Sequence, residues 1–451
     1  MTNNELASGK GHTHNILTLI ALMATTSGIV YGYNLGVISG AILFIVEDFE
    51  LSATLKEIAI SASLFGAMFG ALMGGRLADR IGRRRAIIWG AAIGIIAAVV
   101  GAASPVFWLL AAHRVAVGFA FGILACVTPL YLAEISPNAT RGRLGALFSV
   151  ALMVGLLLSY LVDFALHDVA MGWRWMFLIG MIIAVPLIFF TAILPESPRW
   201  LLSRGQDDKA RNGLRQLLGG QDPSGEIDKL KQTMNMTKAR LSDLANPAFR
   251  MAIVAGIGLA IIRQGTGVAI STFCAPELME MAGFSSVTVE LMGTVGVGVV
   301  YVTMTLVALW LVDRFGRRPL MLTGVAGMVL CFLILFAILR LPEITPVAAV
   351  IAVGGLFLFA ASFAVGPGAV VFLLISELFP QQIRGIGMGI ASFVLWVTYL
   401  ASTMTFPIIV DTGGKAAAFL IYAVLGAAAW VFVYLFIPET KGRQLEEIKA
   451  V

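Results

Sequence analysis

Between residues 16 and 437 the chain is a succession of apolar runs about 20 residues long, each holding few or no charged residues, with polar breaks between them. A helix rises 1.5 Å per residue, so about 20 apolar residues cross the roughly 30 Å hydrocarbon layer of a bilayer. A water-soluble core has no use for so many runs of that length. Only 13% of the 451 residues are charged, against about a quarter in soluble domains, and the mean hydropathy is +0.91. The lipid bilayer is therefore the first expected partner.

Spans are placed near 16–45, 57–78, 86–104, 107–133, 144–166 and 173–194, and again near 251–282, 287–312, 319–339, 346–376, 386–410 and 416–437. The predicted fold class is an all-α integral membrane protein of twelve transmembrane helices. Its parts are an N-terminal six-helix bundle with a short tail (1–194), a linker with short amphipathic helices (195–249) and a C-terminal six-helix bundle (250–451). Arginines and lysines follow the even-numbered spans, while the intervening loops carry Glu47, Asp48, Glu50, Asp168 and Asp411. By the positive-inside rule both termini are cytoplasmic. Short loops and tails favour a bacterial inner (plasma) membrane, in which the chain is read as multi-pass and monomeric.

The net charge of +5 does not mark a nucleic-acid partner, because the basic residues sit in short loops rather than on one soluble face. Cys126, Cys274 and Cys331 lie inside apolar runs without metal-ligand spacing. No nucleophile–base pair, metal motif or phosphate loop occurs, so neither an enzyme nor a cofactor is expected.

The two halves repeat at an offset of about 240 residues: LADRIGRR (77–84) with LVDRFGRR (311–318), YLAEISPNATRG (131–142) with LISELFPQQIRG (374–385), and PESPRWL (195–201) with PETKGR (438–443). With six spans per half, the halves insert the same way up and are related by a pseudo-two-fold along the membrane normal, a known transporter design. Asp79, Arg83, Arg84, Glu134 and Arg141 in one half, and Asp313, Arg317, Arg318, Glu377 and Arg384 in the other, cluster at one end of their spans. Topology alone needs basic residues but no paired acids, so the expectation is an ionic gate that closes the cytoplasmic side.

These motifs, with GYNLGVISG in span 1, RQGTG in span 7 and VGPG in span 10, resemble the sugar porter family of the major facilitator superfamily. The resemblance runs over about residues 28–447 and implies a rocker-switch secondary transporter of a small polar solute: a sugar, polyol or sugar acid. It implies a solute site at Gln264 and Trp396, with Phe372 where the family has Trp, Asn34 in span 1 and Arg114 in span 4. Leu156, Ala269, Tyr301 and Leu395 replace family amides, and each lost partner leaves a solute hydroxyl unpaired at roughly 1–3 kcal/mol. Arg263 replaces another. An Arg in mid-membrane costs about 2.5–3.5 kcal/mol and needs a partner, which is either an anionic solute, Asp163 or a backbone carbonyl. A carrier of a small organic anion or monocarboxylate is thus the alternative, with a sugar acid expected to compete with a plain hexose. A drug antiporter is disfavoured by the lack of Pro in span 5, and a sensor by the short tails. Proton-coupled relatives carry Asp where Asn34 stands, so weak dependence on a proton gradient is expected. Asp163 is the nearest substitute acid, at the outer end of its span where water would solvate it.

Overall fold

The computed structural model describes residues 3–137, 140–235, 246, 249–273, 275–281, 286–379 and 383–441. The side chains of residues 3–14 and of Arg384, and all of Cys274, lie outside the described residues. The membrane-length helices of the first half are α1 (Asn3–Asp48), α2 (Ala53–Ile81), α3 (Arg83–Ala102), α4 (Phe107–Ile135), α5 (Arg141–Leu166) and α6 (Gly172–Ile193). The second half has α7 (Arg250–Thr272), α8 (Val287–Phe315), α9 (Arg317–Ile338) and α10 (Pro346–Leu378), then one long helical element, Arg384–Phe436, that breaks at Gly414 (φ 83°, ψ 161°). Its two parts, α11 (384–413) and α12 (415–436), bring the spans to the twelve expected.

The chain forms two compact units: Met1–Asn34, Phe65–Gly155 and Arg174–Lys238 in one, and Leu35–Leu64, Leu156–Trp173 and Ala239–Val451 in the other. This boundary differs from a cut in the linker, because it runs through the middles of α1, α2 and α5.

Within the first unit, small residues set the helix contacts. A Cβ on Gly66 or Gly70 of α2 would lie 2.0 Å from the Val115 carbonyl oxygen or 2.1 Å from that of Phe119 on α4, and one on Gly122 would lie 2.3 Å from that of Ala67. Without a hydrophobic drive between helices in lipid, this backbone-to-backbone approach supplies the packing. Ile20, Met23, Ala24, Ile123, Leu124, Tyr131 and Leu187 are buried in the resulting core. Trp89, Ile96 and Phe189 remain exposed, the pattern lipid-facing helices require.

After α6 the chain forms short helices, Pro198–Ser203, Asp207–Leu217 and Ser224–Asn235, closed over Trp200, Leu201, Leu202, Ala210 and Ile227. This segment docks on the end of α2, where the Trp200 indole donates to the Asp79 carbonyl at 2.8 Å and Arg204 donates to the same carbonyl at 2.7 Å. Those carbonyls are among the last of α2 and have no partner inside the helix.

Two of the spans are not continuous α-helix. The first stretch of α7 ends at Gly265, and Gly267 takes φ +91° before Val268–Phe273 resumes. In α10 a π-helical turn, Ala364–Gly368, separates Pro346–Phe363 from Ala369–Leu378. Pro367 has no N–H to give, and its ring excludes the carbonyl it would face.

Candidate functional site

Two charged clusters occupy corresponding ends of the halves. In the first unit, Arg83 Nε lies 3.0 Å from Glu134 Oε2 and Nη1 lies 3.0 Å from Asp79 Oδ1. The Arg83 and Glu134 side chains are 11% and 6% exposed, so this pair is largely desolvated. Ser197 Oγ donates to the same Glu134 carboxylate. In the second unit, Arg317 Nη2 lies 3.2 Å from Glu377 Oε1, and Thr440 Oγ1 donates to Glu377 Oε2.

Both clusters are organised by a second acid that the motif reading passed over. Glu196 Oε1 accepts the backbone N–H groups of Arg83 at 2.9 Å and Arg84 at 3.1 Å. Glu439 likewise accepts those of Arg317 and Arg318, each at 3.0 Å. These N–H groups open α3 and α9, so each acid caps a helix N-terminus whose dipole favours a negative charge. The turns leading in are made by Gly82 (φ +99°) and Gly316 (φ +91°), and a Cβ on either would strike the capping carboxylate, at 2.2 Å or 2.7 Å. Glycine is required there twice, by the backbone and by the acid. At Glu439 burial works to raise the carboxyl's pKa, but the N–H donors of Lys441, Arg317, Arg318 and Thr440 outweigh it and hold it below its ordinary value. The signal was present in the sequence as the repeated Pro-Glu-Ser and Pro-Glu-Thr after spans 6 and 12.

The expected gate needs correcting in four ways. The ion pairs described here join residues of the same half. Arg141, the first residue of α5, is exposed and, among the described residues, joins no ion pair. Asp313 is also exposed and, unlike Asp79, makes no ion pair among the described residues. The side chains of Arg84 and Arg318 turn away to helix-end carbonyls, of Ala192 (2.5 Å) and Tyr434 (2.6 Å).

The residues expected at the solute site fall in both units. Asn34 is half-buried, and its amide donates to the Val30 carbonyl one turn back at 2.8 Å. Arg114 is 1% exposed on α4. In the second unit α11 packs on α7, with Ser402 Oγ donating to the Gln264 carbonyl at 3.3 Å. The Gln264 and Trp396 side chains are buried there. Tyr301 Oη lies 2.7 Å from Ser271 Oγ.

Arg263 reaches the π-helical turn of α10. Its Nη1 donates to the Gly368 carbonyl at 2.7 Å and to that of Pro367 at 3.3 Å. The guanidinium lies 4.5 Å from the ring centre of Phe372 and 5.9 Å from that of Phe363. Of the partners expected for Arg263, the backbone carbonyl is one it meets. A π turn displaces carbonyls from the regular ladder, and a planar, fixed-charge fork between aromatic faces is suited to collect them.

Asp163 also departs from expectation. It is 1% exposed, because α1 closes over it: the Gly40 N–H donates to Oδ2 at 3.1 Å.

The profile of the family described as Sugar (and other) transporter matches residues 20–451. The chain belongs to that family. It is 35% identical over 431 residues to the glucose transporter GlcP of Staphylococcus epidermidis, spanning 96% of each chain. It is 34% identical over 426 residues to the D-xylose transporter of Levilactobacillus brevis, spanning 94% of this chain and 93% of that one. The xylose transporter XylE from E. coli, solved in a partially occluded inward-open conformation, matches with a TM-score of 0.82 at 28% identity, over 95% of this chain and all of that one. This sugar transporter family member is thus a secondary transporter of the sugar porter type, with the twelve-helix fold of the major facilitator superfamily.

Proposed function

We propose that this transporter carries a neutral monosaccharide or polyol by a rocker-switch motion of halves 1–194 and 250–451, joined by linker 195–249. The observation that carries the solute class is the commitment of Arg263 to the Pro367 and Gly368 carbonyls. A guanidinium so placed satisfies helix α10 and does not need an anionic solute to offset its burial. Of the other polar side chains of the candidate site, Gln264, Trp396 and Asn34 are neutral donors and acceptors, the groups that match hydroxyls, and Arg114 is its one further charge. Relatives named for glucose and D-xylose agree with this class. The protein works as a monomer in the inner membrane with both termini cytoplasmic, and Glu134, Arg83, Glu377 and Arg317 hold the cytoplasmic helix ends of their halves in register.

Uptake of radiolabelled D-xylose and D-glucose into vesicles containing the purified protein tests this, with myo-inositol, gluconate and glucuronate as competitors. Neutral compounds should compete and carboxylates should not. Competition by gluconate at least as strong as by glucose, lost in Arg263→Gln, would establish the anion reading instead.

A further inference from the structure

Asp163 is a carboxyl inside a membrane helix, 1% exposed, with one oxygen on the Gly40 N–H and the other, Oδ1, buried with no hydrogen-bond partner. The packing around it is specific. A Cβ on Gly40 would lie 2.5 Å from Asp163 Cβ, and one on Gly36 would strike Ser159. Two glycines one turn apart on α1 therefore seat two polar residues one turn apart on α5.

Beside this contact, the same stretch of α5 meets α7 and α8. Tyr160 Oη donates to the Thr272 carbonyl on α7 at 3.0 Å, its ring packs on Gly298 of α8, and His167 Nε2 lies 3.0 Å from Thr288 Oγ1. Residues 160, 163 and 167 share one helix face by their i, i+3, i+7 spacing. Asp163 thus sits between two contacts that must part whenever α5 separates from α7 and α8.

Among the described residues no ion pair to Asp163 is seen. Among the described residues, the elements in contact with this stretch of α5 carry Tyr31, Tyr33, Glu47 and Asp48 on α1, Arg250 and Arg263 on α7, and Glu290, Tyr301, Asp313 and Arg314 on α8, and α5 itself carries Arg141, Arg143 and Tyr160, with His167 just past its end. Among the described residues none is bonded to Asp163; Asp48 takes the Trp173 indole and His167 pairs with Asp168. An ionised carboxylate buried with an unpartnered oxygen is strongly disfavoured, whereas a neutral acid is tolerated.

We propose that Asp163 is a proton-binding site that licenses closure of the α5–α7–α8 contact. When that face is open, the carboxylate is hydrated. It takes a proton from water on that side, and only the neutral acid packs against Gly40 as the contact closes. By linkage, closure and protonation favour each other. This reverses the expectation, drawn from Asn34, that transport depends only weakly on a proton gradient. It rests on the rocker-switch reading for its link to transport, but not for the proton site itself.

The test uses the full-length protein, with two readouts. The first is thermal unfolding in detergent from acid to mildly alkaline pH, for wild type, Asp163→Asn and Asp163→Glu. Wild type should lose stability relative to Asp163→Asn as pH rises, and Asp163→Glu should keep a pH-dependent step. Parallel wild-type and Asp163→Asn profiles overturn the proposal, as does a sodium-for-choline effect that Asp163→Asn removes, which would make the site a cation site. The second readout is exchange of D-xylose across vesicles at equal pH on both sides. Wild-type exchange should fall by about tenfold per pH unit above the titration point, while Asp163→Asn stays flat; a flat wild-type profile overturns the proposal. If Asp163→Asn does not fold, the wild-type and Asp163→Glu profiles decide alone. If neither D-xylose nor D-glucose exchanges, the solute reading fails by itself and the unfolding profiles still judge Asp163.

Discussion

At the level of single residues, the two halves use the same arginine–glutamate pair in different degrees of burial. Arg83 and Glu134 are 11% and 6% exposed, and Arg317 and Glu377 17% and 23%. Removing one member of a buried pair leaves the other charge uncompensated, at about 3–5 kcal/mol, and the penalty shrinks as water reaches the site. Glu134→Gln should therefore lower the midpoint of thermal unfolding in detergent more than Glu377→Gln does, and equal effects would contradict this ranking. Arg263→Gln removes the donor to two π-turn carbonyls and should cost about 1–3 kcal/mol in the same assay. Of these roles, the arginine–glutamate pairing was legible from the repeated motifs. The partner of Arg263 was not, because the displaced carbonyls exist only once α10 has formed its π turn.

At the level of elements, the N-termini of α3 and α9 are each held by one carboxylate set against a positive-φ glycine. Since the N–H donors hold the folded pKa of Glu439 below its ordinary 4.5, the sign is fixed. The carboxylate contributes stability above that ordinary value, and the contribution is lost as pH falls through the depressed folded one. Acid unfolding followed by tryptophan fluorescence should show a step in this range that Glu439→Gln removes. Gly316→Ala should destabilise at all pH values, because it strains the turn and displaces the acid together. Sequence reading placed the spans well, since apolar runs announce themselves. It missed the breaks at Gly267 and Ala364–Gly368 because a span apolar on every side carries no periodicity in which a change of phase would show. It took Asp163 for a solvated residue from its nearness to a helix end, whereas the cover comes from Gly40, 123 positions earlier in the chain.

For the whole molecule, the count of spans and the repeat of the halves were readable from apolar length and motif offset. The division into compact units was not, since it cuts α1, α2 and α5 in mid-helix and depends on which helix faces meet. The π turn of α10 carries one further consequence. A π turn holds one residue more than the α-turn it replaces, and each residue of a helix advances about 100° around the axis. Everything from Ala369 to Leu378 is therefore turned by that angle from where an unbroken α10 would put it. Phe372 faces Arg263, and Glu377 faces Arg317, only in this setting. Straightening the turn at unchanged length, as Pro367→Ala would by returning the missing N–H, should swing both side chains off their partners at once, whereas deleting one residue within 364–368 should restore an ordinary helix and keep both facings. A straightened variant of unchanged length that kept wild-type transport and stability would show that neither contact depends on this phase.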